Sequence, residues 1–141
     1  MAFVAGHNSN IKYDSAAGTP TDISAYVNSI GGFDLKRATL DVTAFGNSAM
    51  AYILGLKGGQ SVTLSGDWDS TLHTLMTGVE ALTTGASQTL SYSPAGTAAG
   101  TPIISAETFL TQYSVNSAVA DKVTWSATLQ VTGATTTTGT N

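Results

Sequence analysis

Cysteine is missing from all 141 residues, which excludes a disulfide framework, a thiolate zinc site and a thiol nucleophile together. Charge is scarce as well. Asp, Glu, Lys and Arg make up 10% of the chain, against about 25% in an average globular protein. Five basic residues (Lys12, Lys36, Arg37, Lys57 and Lys122) stand against nine acidic ones, for a formal charge of −4. Nucleic-acid binders neutralise phosphates with clustered Lys and Arg, and the adjacent pair Lys36-Arg37 is too little for tight DNA or RNA binding. No apolar run approaches the roughly 20 residues of a membrane span. The first residues lack a basic segment and a long apolar core, so no signal peptide is expected and the chain is expected to be made in, and stay in, a cytoplasm.

What is abundant is Ser, Thr and Gly, together 53 of the 141 residues. The length suits one domain, and folding at this size buries on the order of 70% of the unfolded surface without a covalent or metal staple. The composition fits β-structure with a hydroxyl-covered surface.

Periodicity places the elements. Val62, Leu64, Gly66 and Trp68 share one parity of a strand, with Thr63, Ser65 and Asp67 on the other. Leu72, Leu75, Met76, Val79 and Leu82 follow helical spacing and predict one amphipathic helix over about 70–83. Asp69 or Ser70 would cap its start, and Gly85 stands past its end. Val123, Trp125, Ala127, Leu129 and Val131 alternate cleanly with Thr124, Ser126, Thr128, Gln130 and Thr132. A short strand is expected over Gln88 to Tyr92. From Phe33 to Val42 the apolar parity switches, which implies a bulge or break near Ala38 to Thr39. Ile103 to Val115 is apolar on both parities, unlike a strand buried on one face.

Residues 43–60, rich in Gly and Ala, read as a long loop or arm carrying Phe45, Tyr52, Ile53, Leu54 and Leu56. The Thr-rich end, 134–141, has nothing to bury and reads as a mobile tail. The expected fold is mainly β: an antiparallel β-sandwich or small barrel with one flanking helix. The domain is expected to span 1–133.

Catalytic chemistry is hard to find. His7 and His73 are far apart, and His73 is placed on the solvent side of the helix. Asp67 and Asp69 flank Trp68 and could hold Ca²⁺ or act as an acid/base pair, but Asp69 reads more simply as a helix cap. Glu107, among apolar neighbours, reads as an inter-subunit ion-pair partner or a solvated carboxylate. Trp68 and Trp125 lie on the apolar parity, which favours core packing over a stacking platform. No phosphate loop and no Gly-x-Ser-x-Gly motif is present. No enzyme activity, cofactor or metal is expected. The long arm and the two-sided apolar strand instead suit burial against another copy of the chain.

Three stretches carry a resemblance: Leu40-Asp-Val-Thr-Ala-Phe-Gly-Asn-Ser-Ala49, Tyr52-Ile-Leu-Gly-Leu-Lys-Gly58, and Ser61-Val-Thr-Leu-Ser-Gly-Asp-Trp-Asp69. With the closing Asp121-Lys-Val-Thr-Trp-Ser-Ala-Thr-Leu-Gln-Val-Thr-Gly133, they resemble the major tail tube proteins of long-tailed bacteriophages over about Ile23 to Gly133. The fold also looks like the tube component of contractile injection machines and of type VI secretion. The resemblance implies homohexameric rings stacked into a hollow tube, part of a virion tail assembled in the bacterial cytoplasm. DNA would pass through without specific binding, and no membrane would be involved. It also implies other tail proteins as partners: the tail tip, tape measure and terminator. The arm residues Phe45, Tyr52, Ile53, Leu54 and Leu56 would contact the adjacent ring. The uncharged parity Thr124, Ser126, Thr128 and Gln130 is the expected channel-facing surface. The alternative is another virion β-module: a tail terminator, head-decoration or fibre-associated protein.

Overall fold

The computed structural model describes residues 6–33, 35, 37–83 and 85–140, with the side chain of Thr138 set aside. Residues 1–5, Lys36 and Asn141, which enter the expectations above, lie outside the described residues. Nine strands and one α-helix follow in order: β1 (Asn10–Asp14), β2 (Pro20–Asp22), β3 (Ser29–Gly31), β4 (Arg37–Asp41), β5 (Tyr52–Lys57), β6 (Ser61–Asp67), α1 (Ser70–Glu80), β7 (Gln88–Ser93), β8 (Pro102–Asn116) and β9 (Thr124–Thr140). Seven of them form one antiparallel sheet in the order β2-β1-β7-β8-β9-β6-β3, while β4 and β5 pair separately as a hairpin.

The fold is mainly β with one flanking helix, as the patterning predicts, but the sheet does not close into a barrel, since β2 and β3 remain at its two edges. It does curl. Phe33, just beyond β3, stacks on Tyr92 of β7 with ring centroids 6.1 Å apart.

Alternation decides the two faces of the sheet. Val62 and Leu64 of β6, Trp125, Ala127, Leu129 and Val131 of β9, Ala106 of β8 and Leu90 of β7 are buried on one face. Leu72, Met76 and Val79 of α1 cover that face. Leu75 and Leu82 complete the helical stripe at its half-buried margins. The helix ends at Glu80, three residues short of the expected 83. Asp69 caps it, accepting from the Thr71 N–H at 2.8 Å.

The segment between β2 and β3 seals one end of the core. Ile23 is buried there, and the Tyr26 carbonyl accepts the Trp125 indole N–H at 2.8 Å. A Cβ on Gly66 would run into that same carbonyl, so the residue must be glycine for the backbones to meet.

Three expectations change. Residues 43–60 are not a loop throughout: β5 pairs with β4 from Arg37↔Lys57 to Asp41↔Tyr52, making a ribbon. The register shift between Arg37 and Thr39 is the bulge that the parity switch implies. Secondly, the expected mobile tail is the outer half of β9, with Thr136, Gly139 and Thr140 paired to Ser105, Ile103 and Pro102 of β8. Backbone hydrogen bonds need no apolar side chain, and β-branched Thr suits a strand. Lastly, the two-sided character of β8 comes in part from a register shift between Leu110 and Gln112. The core-facing side passes there from Ala106, Thr108 and Leu110 to Tyr113.

Candidate assembly surfaces

Two surfaces stand out, and neither is a catalytic cleft. The first is the β4-β5 hairpin. Apolar residues run consecutively through Tyr52, Ile53 and Leu54, so both faces of the ribbon are apolar, and among the described residues nothing covers it. Leu40, Tyr52, Ile53, Leu54 and Leu56 are all exposed, as are Val42, Phe45 and Met50 in the connection between the strands. Leu40 pairs with Ile53 on one face; Leu54 pairs with Thr39 and lies with Leu56 on the other. A two-stranded ribbon is marginal on its own in water, and one that is apolar on both faces is built to be covered on both.

The hairpin is anchored at its root. The Gln60 carbonyl accepts the Val131 N–H at 3.0 Å, and its side-chain amide donates to Thr135 Oγ1 at 2.7 Å. Gly58, at φ +99°, sits where a Cβ would strike the Gly133 carbonyl of β9. This close approach of β5's end to a kink in β9 fixes the direction in which the ribbon leaves the body. At the far end, the Asp41 carboxylate accepts from the Thr43 backbone N–H at 2.9 Å. The hydrogen bonds from Thr43 hold its pKa below the usual carboxylate range.

The second surface is the outer face of the main sheet. Register brings Thr124, Ser126, Thr128 and Gln130 of β9 beside Asp67, Ser65, Thr63 and Ser61 of β6. On the β8 side, the partners of the same four residues are Asn116, Ser114, Gln112 and Phe109. The result is a carpet mainly of hydroxyls and amides three strands wide, interrupted by the exposed Phe109 ring at one end and the Asp67 carboxylate at the other. The four residues of β9 were legible from parity, and those of β6 carry the same signal. The contribution of β8 was hidden by its bulge. At one corner Lys122 Nζ lies 2.9 Å from Asp67 Oδ1, and this pairing raises the lysine's pKa. Among the described residues, the cation at this corner of the carpet is thus already paired.

The remaining candidates resolve as structural. His73 does not face solvent as expected: it is half-buried, its Nδ1 is 3.1 Å from Tyr113 Oη, and its ring lies against Trp68. The strand that α1 packs on supplies Tyr113, a partner that helical periodicity could not reveal. His7 is exposed. Asp67 and Asp69 are split between an ion pair and a helix cap. Glu107 accepts from Ser87 Oγ at 2.6 Å and from Thr89 Oγ1, and these bonds lower its pKa. Burial pushes the Tyr13 phenol up, as befits a core residue. Among the described residues, no group of three or more His, Asp and Glu is placed to hold a metal ion.

No family model matches the chain, and no curated protein matches its sequence. Its fold, however, recurs in the components of tails and injection machines. A chain of the sheath-tube complex of an extracellular contractile injection system superposes with a TM-score of 0.74 at 16% identity, covering 97% of this chain and 92% of that one. A chain from the tail of an empty gene transfer agent particle, a tail with C6 symmetry, gives a TM-score of 0.73 at 15% identity over 96% and 98%. The SPP1 tail tube protein gives 0.63 at 17% identity over 97% and 80%. At such identities what is shared is the fold, and it is shared over nearly the whole chain.

Proposed function

We propose that this chain is a structural tube subunit, which assembles with copies of itself into six-membered rings stacked as the hollow tube of a phage tail or a related particle. The observation that carries this reading is the hairpin: a ribbon apolar on both faces and uncovered, on a body with the tube fold. Covering it with neighbouring copies removes the exposed apolar area. Phe45, Tyr52, Ile53, Leu54 and Leu56 then form the contact to the adjacent ring.

The hydroxyl face made by Thr124, Ser126, Thr128 and Gln130 borders the channel in this reading. A duct for DNA must not bind DNA, and the described residues of this face offer neither a free cation nor a guanidinium fork for phosphate. Six copies at −4 each carry a net −24, which repels a polyanion rather than trapping it. The tube belongs to the tail of a particle formed in a bacterial cytoplasm, where tip, tape-measure and terminator proteins are its further partners.

Negative-stain microscopy and sedimentation over a range of concentrations test the reading. Long hollow filaments are expected. Discrete rings or decorated particles point instead to a terminator or decoration protein. A compact monomer at every concentration, even with a tail-tip seed, overturns self-assembly. Ser126→Arg with Thr128→Arg is expected to leave filaments intact and slow genome release from particles carrying it. Release at the normal rate removes the channel assignment.

A further inference from the structure

Charges are so few in this chain that each one among the described residues can be accounted for. Lys122 pairs with Asp67, and Lys12 stands opposite Asp22 in register. Asp69 caps α1, and Asp41 holds the Thr43 N–H. Asp14 accepts from the Thr89 N–H, Glu107 from two hydroxyls, and Asp121 from the Lys122 N–H. Among the described residues, three charged side chains have no ion pair, no hydrogen bond and no opposite charge across the strand ladder: Arg37, Lys57 and Glu80.

Each of the three is in an unfavourable place. Arg37 and Lys57 are direct cross-strand partners at the root of the hairpin, and like charges in that position repel. Glu80 is the last residue of α1, whose final turn holds no basic residue. The helix terminus there carries roughly half a negative charge, and a carboxylate beside it is destabilising. The unrelieved cations and the unrelieved anion are complementary, yet among the described residues no ion pair joins them within the chain.

Resting on the self-assembly reading, we propose that Arg37 and Lys57 of one copy clamp Glu80 of the next. Their apolar surroundings match as well. The cations are flanked by exposed Leu35 and Leu56. Glu80 borders a small cavity of about 90 Å³ beside α1 and β8, lined mostly by apolar groups (Val79, Leu82, Ala86, Phe109 and Leu110) together with the polar Gln88, with room for one aliphatic side chain. The contact joins two different surfaces of the same chain. It therefore propagates from copy to copy instead of closing as a two-fold dimer.

The test uses the full chain. Glu80→Gln and, separately, Arg37→Glu with Lys57→Glu are each expected to raise the critical concentration for filaments about tenfold, the size of one good interfacial charge pair. Wild-type assembly is expected to weaken between about 50 mM and 500 mM NaCl, and Glu80→Gln to flatten that dependence. Combining Glu80→Lys with the two hairpin reversals is expected to restore assembly. A carbodiimide, which joins an amine to a touching carboxylate, is expected to link Lys57 to Glu80 between isotopically labelled and unlabelled copies. Circular dichroism melts confirm that each exposed substitution leaves the monomer folded. If filaments form as before with Glu80→Gln and no Lys57–Glu80 link is found, the clamp is wrong and the tube reading stands. If the wild type makes no filaments with any seed, the tube reading falls and takes the clamp with it.

Discussion

Replacing Leu54 and Leu56 together with serine tests whether the hairpin is an interface or an ornament of the folded monomer. The two side chains are 66% and 88% exposed, together about one and a half fully exposed leucines. Burying a leucine side chain contributes about 1.5–3 kcal/mol, so covering both on assembly is worth roughly 2–4 kcal/mol per copy. At about 1.4 kcal/mol per factor of ten, the double variant is expected to raise the critical concentration for filaments roughly 30- to 700-fold. Monomer stability should move by no more than about 0.5 kcal/mol, because exposed side chains contribute little to it. Pelleting assays across a dilution series measure the first quantity, and denaturant melts of the dilute chain measure the second. A marked loss of monomer stability with unchanged assembly would refute the reasoning. It would mean that the ribbon is packed by its own chain and that its exposure has nothing to do with partners.

Other perturbations probe the body. Gly66→Ala drives a methyl group into the Tyr26 carbonyl and is expected to cost about 1–3 kcal/mol, read as a lower melting temperature; an unchanged melt contradicts the close approach. Asp69→Ala removes the cap on α1 and is expected to cost about 1 kcal/mol, seen in the same melts. Glu107 has a folded pKa below its unfolded value, because Ser87 and Thr89 donate to its carboxylate. Its contribution to stability is therefore full above the ordinary carboxylate range and is lost as pH falls through the folded value. Denaturant melts between about pH 6 and 2 should show Glu107→Gln less sensitive to acid than the wild type; equal sensitivity rejects the assignment.

Much of this molecule could be read from one-dimensional pattern. The parity of Val62 and Leu64, the stripe from Leu72 to Val79 and the alternation from Trp125 to Val131 each needed only their own periodicity. The elements they predict are the ones that bury the core. The cap at Asp69 and the bulge between Arg37 and Thr39 were equally local signals. Polar β9 residues 124–130 were visible as a face, because a strand with a buried parity must present the other one.

Pairing was beyond reach of pattern. Residues 134–140 looked like a loose tail because no side chain there seeks burial, but they complete β9 through backbone hydrogen bonds to β8, whose partner cannot be inferred from threonines. The 43–60 segment looked like a loop because its glycines and two-sided apolar pattern fit no one-sided strand. Only the pairing with β4 shows a ribbon whose two faces are both apolar and exposed. Helical periodicity alone places His73 off the apolar stripe and toward solvent; Tyr113, forty residues on, brings it indoors. Local chemistry, then, settled which segments form elements and which face of each is greasy, since those depend on neighbours one to four residues away. Strand order, the anchoring of the hairpin and the isolation of Arg37, Lys57 and Glu80 depend on residues far apart in the chain, and only the folded arrangement could decide them.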